Sequence, residues 1–407
     1  MPPHRIVMVA ACQFPVNYGS PAAIRELTET LSNRGQDVHV VTYPEGENLS
    51  VGAARLHRVG RPRAVQTARV GPSVIKLWWD FLMLIETVRV IRRERCEIIH
   101  AHNYEGCLIG VMAKLLTGRP LIYNAVNLMS DELHTYRVMP EFVAKMLARA
   151  LDWFVPIFPD HIIALTPELR DWFIRGGVPQ DRVTFISAGV TPSLLEGVDP
   201  AAVEEFRVRY EIGARPLVMY TGINNAFQRV DYLLRAFTLV RERIPTAVLM
   251  IVSPIEDEPN RPANEAIARE LGIGRDTRFI GPHALGDLKN YLALADVCVV
   301  SRPDCPGQPI KLLNYMTMAK PSVCFAGGAK GVTHMHDALI APDHDWRAMG
   351  EAIVTLLRDP VLRARIGANA RDTVLRDFDW ALLCAKIDAI YDRLTARGES
   401  PAKAAVA

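Results

Sequence analysis

The residues best suited to chemistry lie in one loop and the helix that follows it. Lys311 comes directly after the loop residues Gly307 to Pro309, and Ile310 opens a run with helical spacing of apolar residues. A loop that ends at a helix N-terminus offers unpaired N–H groups and the positive end of the helix dipole to an anion. With a lysine in the first turn, this pattern indicates a phosphate-binding site. An ordinary strand-to-helix turn would have the same local sequence.

A strand and a helix are predicted to position this loop. Val297 to Val300 is short, apolar and β-branched, which is typical of a strand covered on both faces. Prolines and a glycine then prevent regular structure, and the helix is predicted from Ile310 to Met318, where Lys320-Pro321 ends it. Gly327 to Gly331 forms a second glycine-rich turn after a strand, and it contains Lys330.

Length and composition limit the classes of protein. The chain has 407 residues, of which 49% are hydrophobic and 23% charged, so we expect about two globular domains with ample core. A net charge of +2 gives no bias toward nucleic acid, and no nucleic-acid partner is expected. The segment Arg55–Lys76 is strongly basic, which fits a solvated face or a peripheral docking surface for an anionic lipid or substrate.

Cysteine usage and hydropathy predict a cytoplasmic protein. The seven cysteines form no C-x-x-C pair and no zinc pattern, and no signal peptide or membrane-spanning run is found. The apolar segment from Trp78 to Ile91 favours a core helix, with an interfacial membrane helix as the alternative. Asp343-His-Asp345 has the D-x-D form of a metal motif, but it precedes a helix, so we expect an N-cap and no metal.

Strands and helices alternate along the chain, which predicts an α/β fold of two doubly wound, Rossmann-like halves facing a central cleft. Gly19 and Ser20 follow the first strand, where such sheets bind ligands, although no G-x-G-x-x-G is present. A looser stretch, Val190 to Arg215, marks the boundary. We predict domains at 1–195 and 196–378, a helix at 379–394 packing on the first domain, and a disordered tail at 395–407.

The order of motifs resembles the GT-B glycosyltransferases, and specifically the retaining, group 1 glycosyltransferase family four. Gly307-Gln-Pro-Ile-Lys-Leu-Leu-Asn-Tyr-Met316 is similar to the family's E-G-F-P-x-x-L-L-E-x-M motif. The segment Tyr220 to Phe237 looks like the family's opening of the donor domain, and Ile98-Ile-His-Ala-His102 and Ala164-Leu-Thr-Pro-Glu-Leu169 also fit. The resemblance covers nearly the whole chain.

The chain departs from the family pattern at several positions. Pro306 and Asn314 stand where the motif has its two glutamates, and Val126 stands about where a histidine is common. The family's usual arginine and lysine of the first donor-domain loop fall near Ile223 and Gln228. These substitutions define either a divergent subgroup or a chain without activity.

The resemblance implies that a nucleotide diphosphate sugar binds the second half, with no metal or other cofactor. Lys311 and Arg229 would stabilise the departing diphosphate, and Asn314 would bind the ribose. The complete set of predicted donor-binding residues is Gly19, Gly222, Asn224, Gln228, Arg229, Arg302, Gly307, Gln308, Pro309, Ile310, Lys311, Asn314 and Lys330.

The acceptor is expected on the first half. His102 ends a predicted strand and is the third residue predicted to be catalytic, with a satisfied structural histidine as the alternative. His100, two residues earlier, would share its face of the sheet. Polar residues that follow the strands would bind acceptor hydroxyls, unless they form solvated loops: Ser20, Asn103, Glu105, Asn127, Asp131 and Glu132.

These features predict a retaining glycosyltransferase that moves a hexose-type sugar from a nucleotide diphosphate to an unidentified acceptor. Two alternatives share the fold. A catalytically silent subunit would bind a partner, and a sugar-nucleotide epimerase would need no acceptor. The basic segment would favour a lipid-linked or anionic acceptor.

Overall fold

A computed structural model describes residues 3–16, 19–60, 74–133, 140–256, 258, 260–282, 285–305 and 307–398. Of the predicted disordered tail, residues 395–398 instead belong to the last helix, and those from 399 onward lie outside the described residues. The chain divides into two compact units. The first comprises residues up to Ala188 together with those from Trp380, and the second runs from Gly189 to Asp379.

The first unit is built on seven parallel strands in the order β3-β2-β1-β4-β5-β6-β7. The strands are β1 (Arg5–Ala10), β2 (Asp37–Thr42), β3 (Arg55–Arg58), β4 (Ile98–His102), β5 (Leu121–Ala125), β6 (His161–Ala164) and β7 (Val183–Phe185). The central strands are buried on both faces, as their apolar, β-branched sequences predict. β1 lies between β2 and β4, so the order of strands reverses beside it.

Helices cover both faces of this sheet. They are α1 (Gly19–Asn33), α2 (Val74–Glu94), α3 (Asn103–Thr117), α4 (Met129–Glu132), α5 (Glu141–Phe154) and α6 (Pro167–Arg175). Because parallel crossovers are right-handed, the reversal beside β1 places α1 on one face and α2, α3, α5 and α6 on the other. Thr166 caps α6 by accepting a hydrogen bond from the N–H of Leu169, as its sequence predicts.

The second unit repeats this arrangement with six parallel strands in the order β10-β9-β8-β11-β12-β13. The strands are β8 (Leu217–Thr221), β9 (Val248–Val252), β10 (Thr277–Ile280), β11 (Val297–Val300), β12 (Ser322–Phe325) and β13 (Leu339–Ala341). The helices are α7 (Pro200–Arg209), α8 (Val230–Arg243), α9 (Arg261–Glu270), α10 (Leu288–Leu294), α11 (Ile310–Thr317), α12 (Trp346–Arg358) and α13 (Pro360–Asp377). The reversal here falls between β8 and β11.

β3, β13 and α7 were not predicted, and α4 lies where a polar loop was expected. β3 is a short edge strand of mixed polarity, and β13 has only three residues, so neither has a clear alternation pattern. α7 lies inside the stretch expected to be irregular, yet Asp199 caps it and Pro200 occupies its first turn. That Asp-Pro pair is a recognisable helix start.

The last helix, α14 (Trp380–Gly398), belongs to the first unit. The phenol of Tyr391 lies 2.7 Å from Nδ1 of His100 in β4, and Asp388 binds the guanidinium of Arg34, directly after α1, at 2.8 Å. The chain therefore returns to the sheet on which it began. Within the described residues, no helix is long and apolar enough to cross a bilayer.

Candidate functional site

Lys311 is the centre of a cluster in the second unit. It lies in the first turn of α11, and its Nζ is 3.0 Å from Oε1 of Gln228 and 3.7 Å from the centre of the Tyr220 ring. Gly222 has a φ of 124° and passes so close that a Cβ there would lie 2.9 Å from this Nζ. Only glycine satisfies both conditions easily, so the loop after β8 leaves the space that the lysine side chain fills.

Hydrogen bonds fix the elements that carry this cluster. The hydroxyl of Tyr315 in α11 accepts a hydrogen bond from the N–H of Thr221, 2.9 Å away, at the end of β8. Ser301, directly after β11, donates its hydroxyl to the carbonyl of Gln228 at 2.8 Å. The ends of the two strands at the reversal are thus tied to α11 and to the Gln228 loop. Crevices at such a reversal are where open α/β sheets bind ligands.

Burial lowers the pKa of the Lys311 ammonium well below its usual range. The nearby Arg302 guanidinium acts in the same direction, and Cys305 opposes both. Arg302 itself lies over the Phe227 ring and donates to the carbonyl of Asp304. A partly buried cation beside a second cation is stabilised when an anion binds next to it. The site is therefore suited electrostatically to a phosphate.

The second glycine-rich turn packs directly on the first loop. A Cβ at Gly327 would lie 1.6 Å from the carbonyl oxygen of Pro303, so only glycine allows this approach. Nε2 of Gln308 donates to the carbonyl of Lys330 at 3.3 Å. The structure thus brings Gln308 and the backbone of Lys330 together, 22 residues apart in sequence.

Other predicted donor residues have different surroundings. Asn224 is fully buried, and its N–H donates to Glu258 while its side-chain oxygen accepts from Asn264, so it holds the loop from inside. The guanidinium of Arg229 makes two 2.9 Å bonds to Asp231. It also lies 3.7 Å from the Tyr232 ring.

The remaining donor residues line the start of α11. Gly307, Gln308 and Ile310 are half-buried, Pro309 is the N-cap residue, and Asn314 is half-buried one turn after Lys311. Pro306 lies outside the described residues. Asp345 caps α12, as the sequence predicts for the D-x-D segment.

In the first unit, His102 lies at the equivalent reversal, at the end of β4. It is fully buried, its Nδ1 accepts from Nδ2 of Asn124 at 3.1 Å, and its ring stacks on His100 with centroids 4.6 Å apart. Burial lowers the pKa of His102 to about 3 and that of His100 well below its usual value. Both rings are therefore neutral at physiological pH. Each has an Nε2 without a hydrogen-bond partner among the described residues.

The residues around His102 are held by the turn into α3. Asn103 has a φ of 59°, a left-handed conformation that asparagine tolerates better than most residues. Glu105, in the first turn of α3, lies 3.2 Å from the ammonium of Lys76. Gly19 also has a positive φ of 62°, and Ser20 follows it, half-buried, at the start of α1.

The predicted acceptor loop after β5 is anchored by a residue not predicted from sequence. Asp152 in α5 is buried, and its two carboxylate oxygens accept hydrogen bonds from the N–H groups of Met129 (2.8 Å) and Ser130 (2.9 Å). Asn127 is half-buried and Asp131 is exposed. The side chain of Glu132 lies outside the described part of the structure.

Tyr220, Tyr315 and Asp152 were thus missed as site-forming residues. A sequence signal existed only for Asp152, which interrupts an otherwise apolar helix end. The two tyrosines are indistinguishable from core aromatics until the fold brings them to the loop.

Comparison with solved structures identifies the architecture. Sucrose-phosphate synthase from Thermosynechococcus elongatus matches 97% of this chain and 100% of its own, with a TM-score of 0.80 at 19% identity. HepE of Anabaena, solved in complex with UDP-glucose, matches 95% and 99%, with a TM-score of 0.74 at 15% identity. The protein has the GT-B fold.

Sequence comparison identifies the family. Residues 19–194 match the Glycosyltransferase Family 4 model, and residues 215–359 match the model of Glycosyl transferases group 1. Alpha-D-kanosaminyltransferase of Streptomyces kanamyceticus is 23% identical over 374 residues, which are 85% of this chain and 92% of the relative. The chain belongs to the group 1 glycosyltransferases.

The buried His102 predicts a specific pH dependence of stability. Above a pH of about 6.5 the ring is neutral in both folded and unfolded chains. Below it, only the unfolded chain takes up the proton, until the pH approaches the folded value of about 3. This histidine should therefore lower the free energy of unfolding by up to about 1.4 kcal/mol per pH unit as pH falls through this window. Urea unfolding of the wild type and His102→Gln at pH 7.5 and 5.5 measures the difference.

The variant should lose less stability between the two pH values than the wild type. His336→Gln, which replaces an exposed histidine of the second unit, is the matched control. An unchanged pH dependence in His102→Gln would contradict the assignment of a neutral, buried ring.

Proposed function

We propose that the second unit binds a nucleotide diphosphate sugar with its diphosphate at Lys311. The observation that carries this proposal is the position of the Lys311 ammonium at the strand reversal, against Gln228 and Gly222. A diphosphate oxygen would replace the Gln228 oxygen as the partner of the ammonium. The N–H groups at the start of α11 would bind the same anion.

The electrostatics support a role in transfer as well as in binding. Charge builds up on the diphosphate as the bond from the sugar's anomeric carbon breaks, and a preorganised cation stabilises it without reorganisation. Lys311 would supply this charge, with Arg302 and Lys330 contributing positive potential, so the proposal includes no metal. Arg229 shares its charge with Asp231 and would contribute less than the sequence suggests.

The names of similar proteins support the donor class. HepE was solved with UDP-glucose, and the kanosaminyltransferase transfers an amino sugar by its name. We propose a hexose-type donor carried by UDP or GDP.

We propose that the acceptor binds the first unit near His102, Ser20 and Asn103. Because Nδ1 of His102 accepts from Asn124, its Nε2 carries the hydrogen and can donate to a ligand oxygen. A ring with a pKa of about 3 is unprotonated at neutral pH and is a weak base, so His102 would position a substrate rather than exchange a proton with it. Asn127, Asp131, Glu132 and Glu105 would bind further hydroxyls.

The proposed transfer retains the anomeric configuration. The bond from the anomeric carbon to the diphosphate oxygen breaks, a bond to the acceptor oxygen forms on the same face, and the acceptor's proton passes to the departing diphosphate. This route needs no carboxylate pair of the kind that glycosidases use.

Exchange of two side chains tests the diphosphate site. Lys311→Gln should weaken UDP or GDP binding about 10- to 100-fold, because a charge-assisted hydrogen bond contributes roughly 1.5–3 kcal/mol. The double variant Gln228→Lys/Lys311→Gln returns an ammonium to the same contact from the other side and should recover part of the affinity. Titration calorimetry, with and without EDTA, measures each affinity.

Lys289→Gln, elsewhere on the second unit, is the matched control and should bind as the wild type does. A wild type that binds neither nucleotide would contradict the proposed function. Normal binding by Lys311→Gln would contradict only the position of the diphosphate.

Binding should also take up protons. The lowered pKa of free Lys311 rises when a diphosphate lies beside it, so the complex holds more protons than its components and affinity falls as pH rises. Calorimetry at about pH 8 in two buffers of different ionisation enthalpy measures the uptake. Lys311→Gln should show none, and equal uptake by this variant would exclude the lysine as its source.

Stereochemistry can be tested before the acceptor is known. Slow hydrolysis of an α-linked nucleotide sugar should release the α-sugar first, which proton NMR detects ahead of mutarotation. Release of the β-sugar first would indicate inversion.

A further inference from the structure

Helix α5 buries its small residues and exposes its large ones. Ala144, Ala148 and Asp152 are buried, whereas Phe142 is 76% exposed and Trp153 is 67% exposed. The other large apolar residues exposed on α5 and directly after it are Val143, Met146, Leu147, Phe154 and Ile157. A helix that packed only to complete a protein core would have the opposite pattern. Its apolar side is therefore presented outward.

Two further helices on the same side of the sheet also expose apolar residues. The crossovers place α2, α3 and α5 on the same side of the sheet, and Leu151 of α5 packs against the core that contains Tyr104 and Cys107 of α3. α2 and α3 also expose large apolar side chains, and together with those of α5 they form what we call the apolar face. Its additional residues are Leu77, Trp78, Phe81 and Ile85 of α2, and Leu108, Met112, Leu115 and Leu116 of α3.

Single exposed apolar residues are normal, but this many on three helices of one side of the sheet are unusual for a protein that contacts only water. Its aromatic residues, including Trp78, Phe81 and Trp153, are of the kind enriched where a membrane meets water. Because no described helix could span a bilayer, any membrane contact of these helices would be peripheral.

Basic residues accompany the apolar face. Arg89, Arg92 and Arg93 are exposed at the end of α2, and Lys145 and Arg149 are exposed on α5. Lys145 is paired with Glu141, Arg89 with Glu86 and Arg93 with Glu94, so the excess of positive charge is small. Large apolar side chains with interspersed cations are typical of helices that lie in the membrane interface. Anionic headgroups match this charge better than a neutral surface would.

The basic segment Arg55–Lys76 supports lipid contact less well. Residues 61–73 lie outside the described part of the chain. Of its ends, Arg55 is paired with Glu94 and Lys76 with Glu105. These two cations are already neutralised by the protein.

We propose that the apolar face of α2, α3 and α5 docks the protein on an anionic lipid bilayer. The aromatic and aliphatic side chains enter the boundary between headgroups and acyl chains, and the arginines and lysines contact the headgroups. The proposal does not depend on the donor site, which lies in the second unit.

Co-sedimentation with lipid vesicles tests the proposal on the full chain. The probes are vesicles of phosphatidylcholine alone and of phosphatidylcholine mixed with phosphatidylglycerol. Phe142→Ser/Met146→Ser/Trp153→Ser removes three exposed side chains of α5 and should weaken binding to the mixed vesicles by at least about tenfold, given the transfer free energy of such side chains. Val208→Ser/Val361→Ser, which removes exposed apolar residues of the second unit, should bind as the wild type does.

A second variant tests how much the basic residues contribute to vesicle binding. Lys145→Gln/Arg149→Gln should reduce binding to the mixed vesicles and should hardly change binding to phosphatidylcholine alone. Circular dichroism and urea unfolding of every variant report whether the fold of the first unit is intact.

Three results would overturn the proposal. The first is a wild type that does not bind the mixed vesicles, and the second is an α5 triple variant that binds them equally well. The third is a wild-type dimer that the triple variant converts to a monomer without any vesicle binding, which would make the apolar face an interface between copies of the chain.

Discussion

The reversal of strand order in each parallel sheet determines where chemistry can take place. Where neighbouring crossovers run in opposite directions, the loops that follow two adjacent strands separate and leave a crevice at the carboxyl ends. In the second unit this crevice lies between β8 and β11, and it receives Gly222, Gln228 and Lys311. In the first unit it lies between β1 and β4, and it receives Gly19 and His102. Each unit therefore has a single natural location for a ligand.

The two locations differ in their electrostatics. At the second, a lysine ammonium is partly shielded from water by the Tyr220 ring, the Gln228 amide and the close backbone of Gly222. The positive charge of Lys311 is therefore less stable in the free protein than in a complex with an anion. At the first, two histidines are buried so deeply that they are neutral, which suits hydrogen bonding to an uncharged hydroxyl. A charged donor and a neutral acceptor oxygen are what a glycosyltransferase must hold.

α5 connects the predicted acceptor loop of the first unit to its surface. Its buried Asp152 holds the backbone of α4, and its exposed side is largely apolar. The same helix therefore anchors a predicted substrate loop and presents an unpartnered surface. α5 packs on the protein mainly through small side chains and Asp152, so most of its large apolar side chains remain exposed. The helix can therefore hold the loop and expose an apolar surface at the same time.

The sequence by itself determined the fold, because alternating apolar strands and capped helices admit few arrangements once crossovers must be right-handed. It also indicated the loop and first turn at Lys311, the Thr166 and Asp345 caps, and the position of His102 at the end of a strand. Tertiary structure alone decided the partners. Gln228 and Lys311 are 83 residues apart and Tyr391 and His100 are 291 apart, so no local pattern reveals that they touch. Burial of Asn224 and pairing of Arg229 with Asp231 likewise depend on side-chain direction, which neighbours in space determine and sequence spacing does not.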